Sequence, residues 1–263
     1  MKRNQSVLKA AAILRAAAAQ PDGETASGLA RAAGLPQPTA LRLIRTLEEE
    51  GFLTRLSADG RYVIGAGLLR LGGGADTAQL LIAAARGALA ELAEQVRETA
   101  TLSVPRGRDG IEVVFQIDGP HLIRAISWVG GRYPLHASSG GKVVLSTWDA
   151  ARLDSFLRTP LERCASKTIT DPDALRRETD RVRERGYSVI VDELEDGLAA
   201  VSAPVFYRDG PRSDGSERLL GIVNVSGPSF RFDAKARARA VPLVRATAKK
   251  IERELRPPVG AVA

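Results

Sequence analysis

Apolar positions recur with a helical period through the first quarter of the chain, then give way to short β-type runs from about Thr101. Val7, Leu8, Ala11, Ala12 and Leu14 fit one face of a helix that Ser6 can cap and that runs to about Ala19, where "QPDGE" at 20–24 turns the chain. Thr25 or Ser27 can cap a short second helix through Ala33. Gly34 supplies the permissive backbone of a sharp turn, and Leu35 is placed to pack between the flanking helices. A third helix opens on Pro38 and Thr39, where a proline costs little because a first-turn amide has no intrahelical partner. Ala40, Leu43, Ile44 and Leu47 form its apolar face, and Gly51 stops it. "FLTRL" and "RYVIG" then flank "SADG", a hairpin pattern in which Asp59 and Gly60 supply the turn.

Gly72, Gly73 and Gly74 read as a boundary before a long helix that carries Leu81, Ala85, Ala88, Leu92 and Val96 along one side. Such a helix could connect two domains or pair with its copy in a second chain. Further on, "TLSVPRG", "IEVVFQID", "LIRAISWV", "YSVIV", "AAVSAPVFY" and "LLGIVNVSG" are strand-like runs bounded by turn residues. Helices are expected at 140–146, 149–157, 173–185 and 233–255, so the second half reads as an α/β or α+β domain, and the chain as α/β overall. The polar stretch 208–219 reads as an exposed loop between two strands. The expected domains are 1–74, a linker helix at 75–99, and 100–263.

Length and composition agree with that division. A chain of 263 residues is long for one core and suits two, and 44% hydrophobic content supports packed domains. The formal charge of +7 suits a polyanionic partner without requiring one, but ten of the basic residues against six acidic ones fall within residues 1–70. Cys164 is the only cysteine, which excludes an intramolecular disulfide and any multi-cysteine zinc site and makes a reducing, cytoplasmic setting the expectation. The basic, partly apolar start could be mistaken for a signal peptide, yet Lys9 and Arg15 interrupt it, and no window is apolar enough for a membrane span.

Two helices joined by a short glycine-containing turn are a helix-turn-helix, and the hairpin after the second is a wing. The second of these helices fits a DNA major groove, with Gln37, Thr39 and Leu41 at the groove entrance and Arg42 and Arg45 long enough to reach base edges or phosphates. Arg55 and Arg61 on the wing would meet backbone phosphate or minor groove. The plainer alternative is a small helical bundle with arginines on its solvated face. Glu48, Glu49 and Glu50 oppose DNA locally, but they sit at the helix end where they can point away from a duplex. Catalytic readings find little support. "SSGGKVV" fails as a phosphate loop because His136 falls where the first glycine is required and Val143 replaces Ser or Thr, and "ASSGG" lacks a nucleophile elbow's flanking glycine. His121 and His136, the only histidines, have no metal-ligand partner at useful spacing; neither a metal, a cofactor nor a catalytic residue is expected.

The chain resembles the IclR family of bacterial transcriptional regulators along nearly its whole length. "LPQPTALRLIRTLEEEGFLTR" is similar to that family's winged-helix pattern, with Pro38 where serine is usual. "LHASSGGKVVLS", "RERGYSVIVDELEDGLAAVSAPVF" and "LLGIVNVSGPSFRF" resemble, in order, three parts of its GAF-like effector-binding domain, with Pro204 where some members carry cysteine and Asn224 where serine is common. The resemblance implies a ligand wall of Ser139, Gly140, Asp192 or Glu193, Asn224 and Ser226. It also implies a repressor of a small-organic-acid or aromatic catabolic pathway that binds a palindromic operator as a homodimer or dimer of dimers, away from membranes. Read without it, Ser138, Ser139, Gly140 and Gly141 precede a helix whose free N–H groups favour an anion, or simply cap that helix. A different class stays open: a small-molecule binding protein whose winged helix serves a protein contact.

Overall fold

The computed structural model describes residues 4–56, 59–73, 77–107, 110–121, 127–208 and 217–255. Its backbone falls into two compact units, Met1–Asp76 and Thr77–Ala263.

In the first unit, α1 (Gln5–Ala18), α2 (Ala26–Ala32) and α3 (Gln37–Glu49) precede the antiparallel hairpin β1 (Leu53–Arg55) and β2 (Tyr62–Ile64). Asn4, not Ser6, caps α1: its side chain accepts from the Ser6 and Val7 N–H groups, which leaves Ser6 inside the first turn. Thr25 caps α2 through the Gly28 N–H. Gly34 takes φ +65°, a left-handed conformation that favours glycine, and the Leu35 N–H closes the turn on the Ala30 carbonyl. Ile13, Leu29, Ala40, Ile44, Leu47, Leu53 and Tyr62 form the core, with Leu35 packed at its edge. Two features were absent from the sequence reading. Glu24, just before α2, pairs with Tyr62 and ties the wing to the helices. An eight-residue helix, α4 (Ala66–Gly73), follows the wing and includes Gly72 and Gly73, which had read as a boundary loop. Gly67 donates its N–H to the Gly51 carbonyl, an approach that leaves no room for a Cβ.

The second unit is built on a six-stranded sheet in the order β5-β4-β3-β8-β7-β6, with every pairing antiparallel. Its strands are β3 (Thr99–Arg106), β4 (Gly110–Ile117), β5 (Arg132–Pro134), β6 (Ser188–Val191), β7 (Leu198–Arg208) and β8 (Glu217–Pro228). Because side chains alternate along a strand, successive rows across the sheet face opposite sides. Ala100, Val225 and Val201 are in register, as are Leu102, Val223 and Ala203. They form a core with the long helices α5 (Thr77–Val96) and α9 (Ala234–Leu255), to which Leu81, Ala85, Leu89, Leu92, Val244 and Ile251 contribute. The alternate rows hold Thr101, Asn224 and Ser202, and Thr99, Ser226 and Ala200. Helix α6 (Ser139–Ser146) contacts this other side of the sheet, and α7 (Ala150–Leu157) and α8 (Pro172–Arg185) share a second apolar cluster with it. The strand expected at 122–129 lies largely outside the described residues, as does most of the expected loop at 208–219; β5 was not anticipated, its three residues being too few to show a pattern.

Candidate functional site

Two places gather the residues singled out from the sequence, one in each unit. Along α3, Ala40, Ile44 and Leu47 turn inward and fix the helix on its unit's core. Gln37, Arg42 and Arg45 are consequently exposed, while Thr39 and Leu41 are half-buried. Neither Arg42 nor Arg45 makes an ion pair within the described residues. Asn4, Thr25, Ser138, Asp149 and Asp171 each accept a first-turn N–H at the start of α1, α2, α6, α7 and α8. At α3 the corresponding residue is Pro36, with no side-chain cap, so the Gln37 and Thr39 N–H groups of the first turn are unclaimed by a capping side chain, Pro38 having none. Such a terminus, with its partial positive charge, is suited to a phosphate. On the wing, Arg55 lies with its guanidinium 6.0 Å from the Tyr62 ring, and Arg61 pairs with Asp59 at 2.9 Å. Both members of that pair are half-exposed, so solvent screening leaves it weak enough to exchange for a phosphate.

In the second unit a pocket of ≈ 430 Å³, measured out to its open mouth, lies between the polar rows of the sheet and the start of α6. Ser139, Gly140, Asn224 and Ser226 are all in its wall, so the structure brings four of the six implied ligand residues together. Asp192 and Glu193 are not part of that wall. Asp192 takes φ +57°, receives Lys167 Nζ at 2.7 Å, and accepts the Gly197 N–H at 2.9 Å. The Lys167 hydrogen bond, helped by Gly197, holds its carboxyl below the usual range. Glu193 instead reaches the wholly buried Lys142 on α6, with Oε2 2.5 Å from Nζ. Burial pushes the Glu193 carboxyl up, against the pull of Lys142 and with a further push from Glu178. Two neighbours that the sequence could not separate thus have opposite environments. Leu194, the next residue, does line the pocket, so the Lys142–Glu193 pair ties two of its walls together.

The start of α6 is pressed onto the sheet because it is made of small residues. A Cβ on Gly140 would come within 2.7 Å of Ile111 Cδ1, and one on Gly141 would collide with the Leu135 backbone. Ser138 Oγ accepts the Gly141 N–H at 3.1 Å and donates to the Pro134 carbonyl at 2.6 Å. Ser139 then meets the central row of the sheet: its Oγ is 3.0 Å from Asn224 Oδ1 and 2.8 Å from Ser202 Oγ, while Ser202 Oγ is 2.9 Å from Asn224 Oδ1. Asn224 Nδ2 donates to Thr101 Oγ1 at 3.2 Å. Thr101, Ser103, Ser202, Trp128 and Tyr133 were missed from the sequence. The signal for the first two was present, since Thr99, Thr101 and Ser103 alternate with Ala100, Leu102 and Val104 in a strand that is buried on both sides. A buried strand with one polar face needs something polar to face. Ser226 Oγ and Trp128 Nε1 are buried without a hydrogen-bond partner among the described residues.

No helix among the described residues is long and apolar enough to cross a membrane. Both units match family models: the IclR helix-turn-helix domain over residues 6–57, and the bacterial transcriptional regulator IclR C-terminal domain over 76–253. The chain is 32% identical over 258 residues to a glycerol operon regulatory protein of Streptomyces coelicolor, covering 97% of this chain and 98% of that one. It is 29% identical over 217 residues to the transcriptional repressor IclR of Escherichia coli, with 81% and 77% covered. Among solved structures, an IclR homolog from Microbacterium hydrocarbonoxydans complexed with 4-hydroxybenzoate aligns with a TM-score of 0.60 at 25% identity, covering 95% of this chain and 99% of that one. With its helix-turn-helix and its C-terminal domain matched in order along the sequence, the chain belongs to the IclR family of bacterial transcriptional regulators, DNA-binding proteins rather than enzymes.

Proposed function

We propose that the protein is a ligand-responsive repressor of a catabolic operon, in which residues 1–74 read DNA, 75–99 link, and 100–263 bind the effector. The carrying observation is that one chain holds both an exposed, cationic, uncapped helix and a pocket with polar atoms that have no partner among the described residues. Arg42 and Arg45 read base edges, Gln37, Thr39 and Leu41 set the entry of α3 into the major groove, and Arg55 and Arg61 hold phosphates. Ser139, Gly140, Asn224 and Ser226 hold the effector. Asp192 and Glu193 act at one remove, by fixing the loop that carries Leu194. A homodimer, or a dimer of such dimers, places two winged helices on a palindromic operator, because one copy alone makes few phosphate contacts. Similarity to regulators of glycerol and acetate operons supports a catabolic role.

Selection of genomic fragments by the purified protein, with and without cell metabolites, tests this reading. Arg42→Ala is expected to weaken operator binding by about 1–3 kcal/mol and relax preference at one base position, whereas Arg55→Ala weakens all sequences alike and lowers the salt slope. Equal affinity for the selected operator and a scrambled duplex would overturn the assignment of α3 to base reading. Ligand uptake without salt-dependent DNA association would instead make the winged helix a protein contact.

A further inference from the structure

We propose that the pocket takes a compact, uncharged molecule bearing hydroxyl or amide groups in preference to a carboxylate of the same shape. The proposal rests on the ligand-responsive reading and narrows it. The polar side chains lining the pocket, among them Thr101, Ser139, Asn224, Ser226 and Trp128, are neutral, and within the described residues no cation lines it. Lys142 is near in sequence to the lining of α6 but is committed to Glu193 at 2.5 Å. At one lining residue the nearby charge is negative: Glu195 reinforces the upward push that burial gives the Tyr133 phenol. Among the described residues no cation would replace the water that a carboxylate sheds on entering here. The dipole of the short helix α6 returns only a small part of the cost of losing that water, and Ser138 already occupies one of its first-turn N–H groups.

Proton counting points the same way. Ser139 Oγ, Ser202 Oγ and Asn224 Oδ1 form a triangle with edges of 2.8, 2.9 and 3.0 Å. Two hydroxyl protons serve three edges, so one edge brings lone pairs together and the cluster is short of a donor. A ligand hydroxyl or amide N–H supplies that donor; a carboxylate has none to give. Trp128 Nε1–H offers the complementary donor, and Ser226 Oγ can either donate or accept. The ligand that satisfies all three therefore both donates and accepts. Only ≈ 40 Å³ of the pocket is open to the centre of a water-sized sphere, which keeps the molecule compact.

The test uses the full chain and pairs of probes on one carbon frame, glycerol against glycerate and 4-hydroxybenzamide against 4-hydroxybenzoate, with calorimetric affinity and operator retention read together. The uncharged member of at least one pair is expected to bind about ten-fold or more tighter than its carboxylate, matching a difference of at least ~1.4 kcal/mol. Ser139→Ala leaves the Ser202–Asn224 edge with its own proton, so the melting temperature holds while affinity for the uncharged probe falls by about five- to ten-fold. Ser226→Ala removes a hydroxyl that has no partner among the described residues and should behave likewise. A carboxylate that binds as well or better, or the absence of millimolar binding by both uncharged probes, overturns the inference. If a carboxylate binds better and releases the operator, the regulator reading stands while the ligand class falls. An operator affinity unmoved by a whole-metabolite extract removes the regulator reading itself.

Discussion

The two faces of the six-stranded sheet are made by alternate residues of the same strands, yet they are held in different ways. On one face Leu102, Val223, Val225 and Val201 meet α5 and α9 through apolar contact alone. Such contact gains stability in proportion to area and depends little on any single geometry. On the other face Asn224 and Ser202 meet Ser139 of α6 through directional contacts, Asn224 also donates to Thr101, and Ser226 is left without a partner among the described residues. Each buried polar atom there stabilises the fold only while its partner is in place. The first face is a foundation. The second is a surface whose remaining hydrogen bonds are available to something else, at a cost the first face must cover.

The largest expected break in this contrast is at a buried charged pair beside the polar side. Lys142→Met strands the Glu193 carboxylate in a largely buried position and should cost about 3–5 kcal/mol in chemical denaturation. Adding Glu193→Leu should return much of that loss; a double variant that loses the full sum of the two single effects would show that the pair is not a coupled unit. Next come single truncations on the two faces. Leu102→Ala on the apolar face should cost about 2–5 kcal/mol, and the surviving folded protein should keep its ligand affinity. Asn224→Ala should cost less, about 1–3 kcal/mol, yet abolish ligand response, since it leaves Thr101 and two serines without their common partner. Equal loss of affinity in both variants would dissolve the distinction between the faces.

The smallest effect is a difference in pH slope between adjacent residues. Glu193 has a raised carboxyl, so its share of stability is fully present below the unfolded value and lost as pH rises through the folded one. Asp192 is depressed, so its share is present above the unfolded value and lost as pH falls through the folded one. Melting temperature followed from acid to neutral pH should therefore flatten on the rising side in Glu193→Gln and below about pH 4 in Asp192→Asn. Slopes that change in the same direction would remove the opposition assigned to these neighbours.

Much of this was legible in the sequence because it is local. Breakers and caps placed α2, α3 and the wing, and helical period exposed Arg42 and Arg45. The winged-helix and effector-domain motifs carried the family. What was not legible depends on partners far along the chain. Nothing around Asp192 and Glu193 says which one turns toward Lys142, because that is settled by the left-handed backbone at Asp192 and the position of α6. Ser202 looked like any small strand residue until register set it beside Asn224. Asn4 took the cap expected of Ser6 because its side-chain oxygen, two residues earlier, reaches the Ser6 and Val7 amides.

The central polar row also has a consequence for the time at which the protein can act. Its contacts join Thr101 to Asn224 across 123 positions, Ser139 to Asn224 across 85 and Ser202 to Ser139 across 63. Contacts so distant close only after long loops have been ordered, which makes them late events in folding. On a ribosome the first unit, Met1–Asp76, emerges complete well before β8 at 217–228 is made. A nascent chain therefore holds its helix-turn-helix before it can hold an effector, and an effector in the cell answers only to molecules whose synthesis has passed the last row of the sheet.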